Sequence, residues 1–299
     1  MSAHVRSSAG ISFSGSVMRY AEIERAGSVT RLLRLGNCDF EFDAASELFS
    51  PSRPTRLEVI REALSDVFSG TTADVVRAVV PGDQLVMFQT RVGRDAGPAE
   101  RNRQIALETR VLAGEDADGD LFPAGGAGDD HESSVPVHVA HAGTHMAERV
   151  MQVGAVFGDV TFQMIPRSTA VHQAMYAVQA RTGWETSLVV GAFDGSTEYQ
   201  FMVDGDRKGD VVHAVTHPMD RLYFALEALS AWNINPADVA RVVLHGDRVD
   251  GPLIDAMNDV WGTRAVLANP GPAVRLEEGR LEASFGFEAF LATVGAAIL

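Results

Sequence analysis

Apolar and polar positions divide this chain into short alternating runs and longer stretches of helical spacing. Alternating runs rich in β-branched and aromatic residues, closed by Gly-containing pairs, predict strands. Near the start these are Gly10–Phe13, Val17–Ile23 and Val29–Leu35, separated by Ser14-Gly15 and Ala26-Gly27. In the second half they are Leu188–Phe193 and Thr197–Val203, followed by Asp194-Gly195 and Asp204-Gly205 respectively. Asp-Gly in this setting predicts a type I′ turn, because both central positions need positive φ. Each meander precedes a helix and another strand. Leu57, Ile60, Leu64, Val67 and Phe68 share one helical face behind Thr55-Arg56-Leu57-Glu58, which has the form of a capping box. Ala73–Val80 then reads as a buried strand. The later counterpart has Met219, Leu222, Tyr223, Leu226 and Leu229 on a helix from about Pro218 to Trp232, an Asn235-Pro236 cap, and a strand Val239–Leu244 ending at His245-Gly246.

The order meander, helix, strand thus occurs twice, about 170 residues apart, as a repeat of organisation without residue identity. Between the copies lies an insertion, with strands at Leu85–Val92, Val135–His141 and Val160–Ile165 and helices at Ala99–Leu112 and Thr144–Phe157. A helix Ser168–Arg181 leads on to the second meander. The expected division is a first subdomain of residues 1–83 plus 166–186, an inserted subdomain of 84–165, and a second subdomain of 187–299. Within the insertion, residues 113–134 read as a flexible acidic loop carrying Glu115, Asp116, Asp118, Asp120, Asp129, Asp130 and Glu132 without an arginine or lysine. Asp116, Asp118 and Asp120 have the alternation of a calcium loop, but Leu121 stands where an EF-hand needs glycine, so a solvated loop is the better reading. A short strand is expected at Arg280–Ala283, and the helix Phe285–Leu299 has small residues at Ala289, Ala292, Gly295 and Ala296 that suit close packing on a sheet.

Composition narrows the function. Net charge is −15 and Lys208 is the single lysine among 25 basic residues, so bulk electrostatics disfavour nucleic acid and anionic membranes as partners. The single cysteine, Cys38, excludes an intramolecular disulfide and a cysteine zinc cluster. The opening residues lack the apolar core of a secretory signal, and Phe285–Leu299 is too short to span a bilayer, so a cytoplasmic location is expected. His138, His141 and His145 have metal-like spacing, but the first two face opposite sides of a strand and the third begins a helix, which argues against zinc.

Five stretches carry a resemblance to a known family. Gly10-Ile11-Ser12-Phe13-Ser14-Gly15-Ser16 resembles a first phosphate loop, and Val79-Val80-Pro81-Gly82 leads into the insertion, where Glu108 resembles a helix glutamate. Leu188–Gly205 resembles a second phosphate hairpin. Val242-Val243-Leu244-His245-Gly246-Asp247, with Gly251 and Leu253, resembles the loop beside the nucleotide, and Asn269-Pro270 the return to the sheet. The chain resembles the PilM-type actin-like proteins of type IV pilus assembly, within the actin and FtsA-like ATPase superfamily. The resemblance implies an α/β, actin-like (ribonuclease H-like) duplicated fold: two halves, each with a mixed five-stranded sheet and helices, plus an inserted α/β subdomain.

The functional residues of the resemblance are broken. Ser12 replaces the metal aspartate, Gly191 and Phe193 stand at the acid and close-approach glycine of the hairpin, and Asp247 replaces a loop glycine. A side chain at the close-approach position obstructs a backbone cradle for phosphate, and a carboxylate repels polyphosphate. The vestigial nucleotide-binding set is Ser14, Gly15, Ser16, Asp194, Gly195, Ser196, Gly246 and Asp247, with no catalytic or metal residue and ATP/Mg bound weakly or not at all. The expected function is a pseudo-ATPase scaffold whose first half docks the cytoplasmic tail of a PilN-like inner-membrane assembly protein, which would recruit it to the membrane; self-association stays open. An active ATPase or small-molecule kinase of the same superfamily is the alternative, drawing on Asp194, Asp204 or Asp247. A third is an unrelated two-domain α/β protein.

Overall fold

The computed structural model describes residues 6–27, 29–114, 119–125, 133–275 and 286–299. Strands β1 (Arg6–Ser14), β2 (Val17–Ala26) and β3 (Val29–Asp39) form the first antiparallel meander. It is followed by α1 (Ala44–Phe49), α2 (Leu57–Val67) and β4 (Val75–Val80). The second meander is β9 (Ser187–Ala192), β10 (Thr197–Val203) and β11 (Asp206–His213), followed by α6 (Pro218–Ala231) and β12 (Arg241–His245). With β8 (Thr161–Pro166) and β13 (Ala265–Leu267) the two sheets have the orders β3-β2-β1-β4-β8 and β11-β10-β9-β12-β13. The last two pairings in each are parallel. Topology is therefore duplicated strand for strand, as the spacing of the two meanders predicts.

The insertion between β4 and β8 holds β5 (Val86–Gly93), α3 (Pro98–Ala113), β6 (Asp120–Gly125), β7 (Ser134–Ala142) and α4 (Thr144–Gly154), its sheet ordered β5-β7-β6. Strand β6 corrects the expected loop over 113–134. Asp120 to Gly125 pairs antiparallel with Ala142 to Val137. The reason is Leu121 and Phe122: one packs on the core of the inserted sheet and the other on the first-half core, so an otherwise acidic run is anchored by two apolar side chains. Glu115, Asp116, Asp118, Asp129, Asp130 and Glu132, and the strand expected at Arg280–Ala283, lie outside the described residues.

Two helices join the halves. Helix α5 (Arg167–Thr182) leaves the first sheet, and its Ser168 carbonyl accepts from the Gln200 side chain of β10. Helix α8 (Leu291–Ile298) leaves the second sheet and lies on β1, β2 and β4. They cross where Gly295 meets Ala170: a Cβ on Gly295 would stand 1.9 Å from the Ala170 carbonyl oxygen, and one on Gly10 beneath would stand 2.1 Å from that of Thr293. The small residues of α8 are thus required by helix–helix and helix–sheet approach.

Two local expectations fail for identifiable reasons. The capping box does not form, because the Glu47 carboxylate takes the Thr55 N–H and hydroxyl and the Arg56 N–H, while Glu58 pairs with Arg61. Asp204 and Gly205 have φ of 51° and 85°, as a type I′ turn demands, whereas neither Asp194 nor Gly195 has positive φ. At that second tip the Phe193 carbonyl accepts from Arg221 Nη2 at 2.8 Å, so the loop closes through Phe193 N–H and the Ser196 carbonyl.

Candidate functional site

The tips of the β1–β2 and β9–β10 hairpins face each other across a cleft of about 340 Å3 between the halves. Ser14, Gly15, Asp194, Gly195 and Ser196 all line it, with Arg167 on its wall. Ser16 turns outward and its carbonyl holds the Phe40 N–H. Gly246 and Asp247 stand outside the lining. The Gly246 N–H donates to the Glu288 carbonyl, and Asp247 pairs with Arg19 of β2 at 2.5 Å. Five of the eight sequence candidates are therefore brought together. Glu108 sits on α3, outside the cleft lining.

The chain's own side chains pack into the cleft at the positions that the resemblance aligns with phosphate contacts. Phe193 is buried in the cleft with the Arg167 guanidinium 3.7 Å from its ring centroid, a cation–π contact, and His245 meets the ring edge-on at 5.7 Å. Gly191 cannot be the missing acid, because a Cβ there would lie 2.7 Å from His245 Nε2. Ser12, at the metal-aspartate position, shares a 2.7 Å hydrogen bond with Thr293 of α8. Asp194 is ion-paired with Arg248, whose backbone N–H reaches the Ala192 carbonyl. Fully buried Arg221 braces the same tip through Thr197 Oγ1 and the carbonyls of Phe193 and Arg248. Asp43, Asp83 and Asp194 put three carboxylates on the lining against one guanidinium that is already paired. Among the described residues no cluster of three metal-ligating side chains exists.

Beneath the cleft, Glu198 of β10 is a buried carboxylate that accepts from Arg167 Nη1 at 3.1 Å and from the Gly82 N–H of the first half at 2.8 Å. Burial raises its pKa in spite of Arg167 and the Gly82 N–H. Neither role is read from the sequence, although one charged residue inside the apolar run Thr197–Val203 is the available signal. Asp210 of β11 binds His138 Nδ1 of β7 at 3.0 Å and Arg207 at 3.3 Å. Burial acts to raise the Asp210 pKa, but the His138 hydrogen bond and Arg207 outweigh it and hold it below the usual range. This network ties the insertion to the second half and borders a groove of about 480 Å3. It also separates His138 from His141 and His145, which do not converge.

His245 carries a pH prediction. Burial, with Arg167 adding repulsion, pushes its pKa down from 6.5 to about 3. Below about pH 6.5 the unfolded chain takes up a proton that the folded chain refuses. Stability therefore falls as pH drops toward 3, by about 1.4 kcal/mol per unit from this group. Glu198, with its raised pKa, acts in the opposite sense, so the contribution is isolated by comparison. Between pH 7 and pH 5, urea unfolding of the unmodified chain should lose about 2 kcal/mol more than that of His245→Leu. Equal losses would show that His245 is not held neutral.

No protein-family model matches the sequence, and no curated protein is significantly similar to it. Solved structures do match. PilM in a PilM–PilN type IV pilus biogenesis complex overlays with a TM-score of 0.77 at 14% identity, covering 97% of each chain. The fold is that of PilM. A Bacteroides thetaiotaomicron protein of unknown function with an actin-like ATPase fold gives a TM-score of 0.49 at 10% identity, over 89% of this chain and 91% of that one. The cytoplasmic domain of EpsL, an inner-membrane component of the Vibrio cholerae type II secretion system, gives 0.48 at 11%, over 97% and 94%. The PilM-like fold here is divergent in sequence along its whole length, and no helix among the described residues is long and apolar enough to cross a membrane.

Proposed function

We propose that the protein is a cytoplasmic pseudo-ATPase scaffold that docks the tail of a PilN-like inner-membrane protein during assembly of a type IV pilus or related secretion machine. The observation that carries the pseudo-ATPase part is the stack of Phe193 on Arg167, which puts an aromatic ring where a phosphate hairpin needs open backbone. An ATPase or kinase would need a metal carboxylate and a base free in the cleft, and Asp194 and Asp247 are each engaged by an arginine. The partner part is supported by the shared fold with PilM, itself described in a complex with PilN.

The dock on the first half is a groove of about 320 Å3 against the insertion, lined by Phe49, Pro51, Leu85, Val86 and Met146. Arg149 fixes its wall by donating to the carbonyls of Ser50 and Pro51. Val86 is 38% exposed, so a charge there would meet the tail without disturbing the core. Calorimetry of the full chain with a synthetic tail of the source organism's PilN-like protein should give binding that is unchanged by Mg-ATP and at least about tenfold weaker in Val86→Asp, a loss of roughly 1.4 kcal/mol. Nucleotide-dependent tail binding, or no binding, would refute the scaffold reading.

A further inference from the structure

Away from both grooves, Tyr176 of α5 and Trp184 just beyond its end are each 45% exposed, their ring centroids 5.0 Å apart. Single exposed apolar residues need no explanation, but two large aromatics open side by side on a rigid support do. The support is the β10–β11 turn. The Trp184 ring lies against Gly205, where a Cβ would come within 2.3 Å of it, and His172, one turn before Tyr176, donates from Nε2 to the Gly205 carbonyl at 2.8 Å. On either side of that glycine stand the exposed residues Asp204 and Asp206. Asp206 pairs with Lys208 at 3.5 Å, and Glu185 with Arg241 at 2.7 Å. Arg181 lines a separate hollow with Thr30 and Pro272. Of the acids around this turn, Glu185, Asp204 and Asp206, it is Asp204 that has no side-chain hydrogen bond or ion pair within the described residues, and the turn holds it in the left-handed region at φ 51°.

We propose that Trp184, Tyr176 and Asp204 form a docking surface for an arginine side chain of a partner peptide. Charge complementarity selects a cation, since Asp204, next in sequence to the glycine that meets the Trp184 ring, is left unpaired. The pair of open rings selects arginine over lysine, because a guanidinium stacks on an indole face while its edge hydrogen-bonds a carboxylate, whereas an ammonium is a strongly hydrated point charge. The surface needs no nucleotide and no occupant of the other grooves, so it stands apart from the proposed scaffold function.

The test is an NMR titration of the isotope-labelled full chain with a blocked octapeptide of glycine and serine carrying two arginines, beside its lysine counterpart. Saturable shifts are expected at the Trp184 indole N–H and the Gly205 amide. Trp184→Ala and Asp204→Asn should each weaken binding about fivefold, the equivalent of one exposed cation–π or charge contact. Asp204→Asn keeps the turn, since asparagine tolerates positive φ, so a folding defect cannot imitate the result. Asp66→Asn, at a remote exposed acid, controls for the bulk negative charge and should bind like the unmodified chain. Absence of saturable shifts, equal weakening by Asp66→Asn and Asp204→Asn, or lysine binding as tightly as arginine would each overturn the proposal.

Discussion

Replacing Arg167 with methionine should cost about 3–5 kcal/mol of unfolding free energy, because it strands Glu198 as an uncompensated charge in the interior. Arg167 and Glu198 have side-chain exposures of 6% and 4%, so water cannot take over the lost pairing. The same change removes the cation–π contact that seats Phe193. Burial already raises the Glu198 pKa with the arginine present, and losing the arginine removes the largest influence that lowers it, so the folded-state pKa rises further. A group with a raised folded pKa contributes stability below its unfolded pKa and loses it as pH rises through the folded value. The defect of Arg167→Met in urea unfolding should therefore deepen from pH 5 to pH 8. Arg167→Met combined with Glu198→Gln should recover part of the loss, since the amide oxygen can still accept from the Gly82 N–H. Additive losses in the double variant would show that the two side chains are not coupled.

Gly295→Ala should cost about 3 kcal/mol, although alanine is normally the better helix former by roughly 1 kcal/mol. The added methyl would stand 1.9 Å from the Ala170 carbonyl and 3.1 Å from the Ala174 Cβ, so α5 and α8 must separate. Backbone cannot yield as a flexible side chain can, and the displaced helices carry Leu291, Ala292, Val171 and Met175 of the core between the halves. A thermal melt that places Gly295→Ala at or above the unmodified chain would mean the helices are not in this contact.

The duplicated sheet order was legible because hydrophobic alternation and glycine turns are local signals, and both meanders with their following helix and strand carry them. The Asp204-Gly205 turn follows the same rule. Asp194-Gly195 departs from it because Arg221, more than twenty residues later, captures the carbonyl that would close the turn. The capping box fails in the same way: Glu47, eight residues before Thr55, outcompetes Glu58 for its donors. Strand β6 was hidden because two apolar residues in an acidic run are too short a pattern to specify pairing, which is decided by β7. At the cleft, the place of Phe193 beside the hairpin tip could be read from its position in the sequence. The ion pairs of Arg167, Glu198, Arg19 and Arg248 could not, since each joins residues whose proximity exists only once the chain has folded. His245 shows the limit well: its spacing marks a strand end, and only parallel pairing with β9 places its ring on Gly191.

That the chain closes its own phosphate cleft is tested most directly by titrating Mg-ATP into the full-length protein by calorimetry. The account predicts no saturable heat up to about 1 mM nucleotide, an affinity no better than roughly −4 kcal/mol. A micromolar dissociation constant with Phe193, Arg167 and Asp194 intact would contradict it.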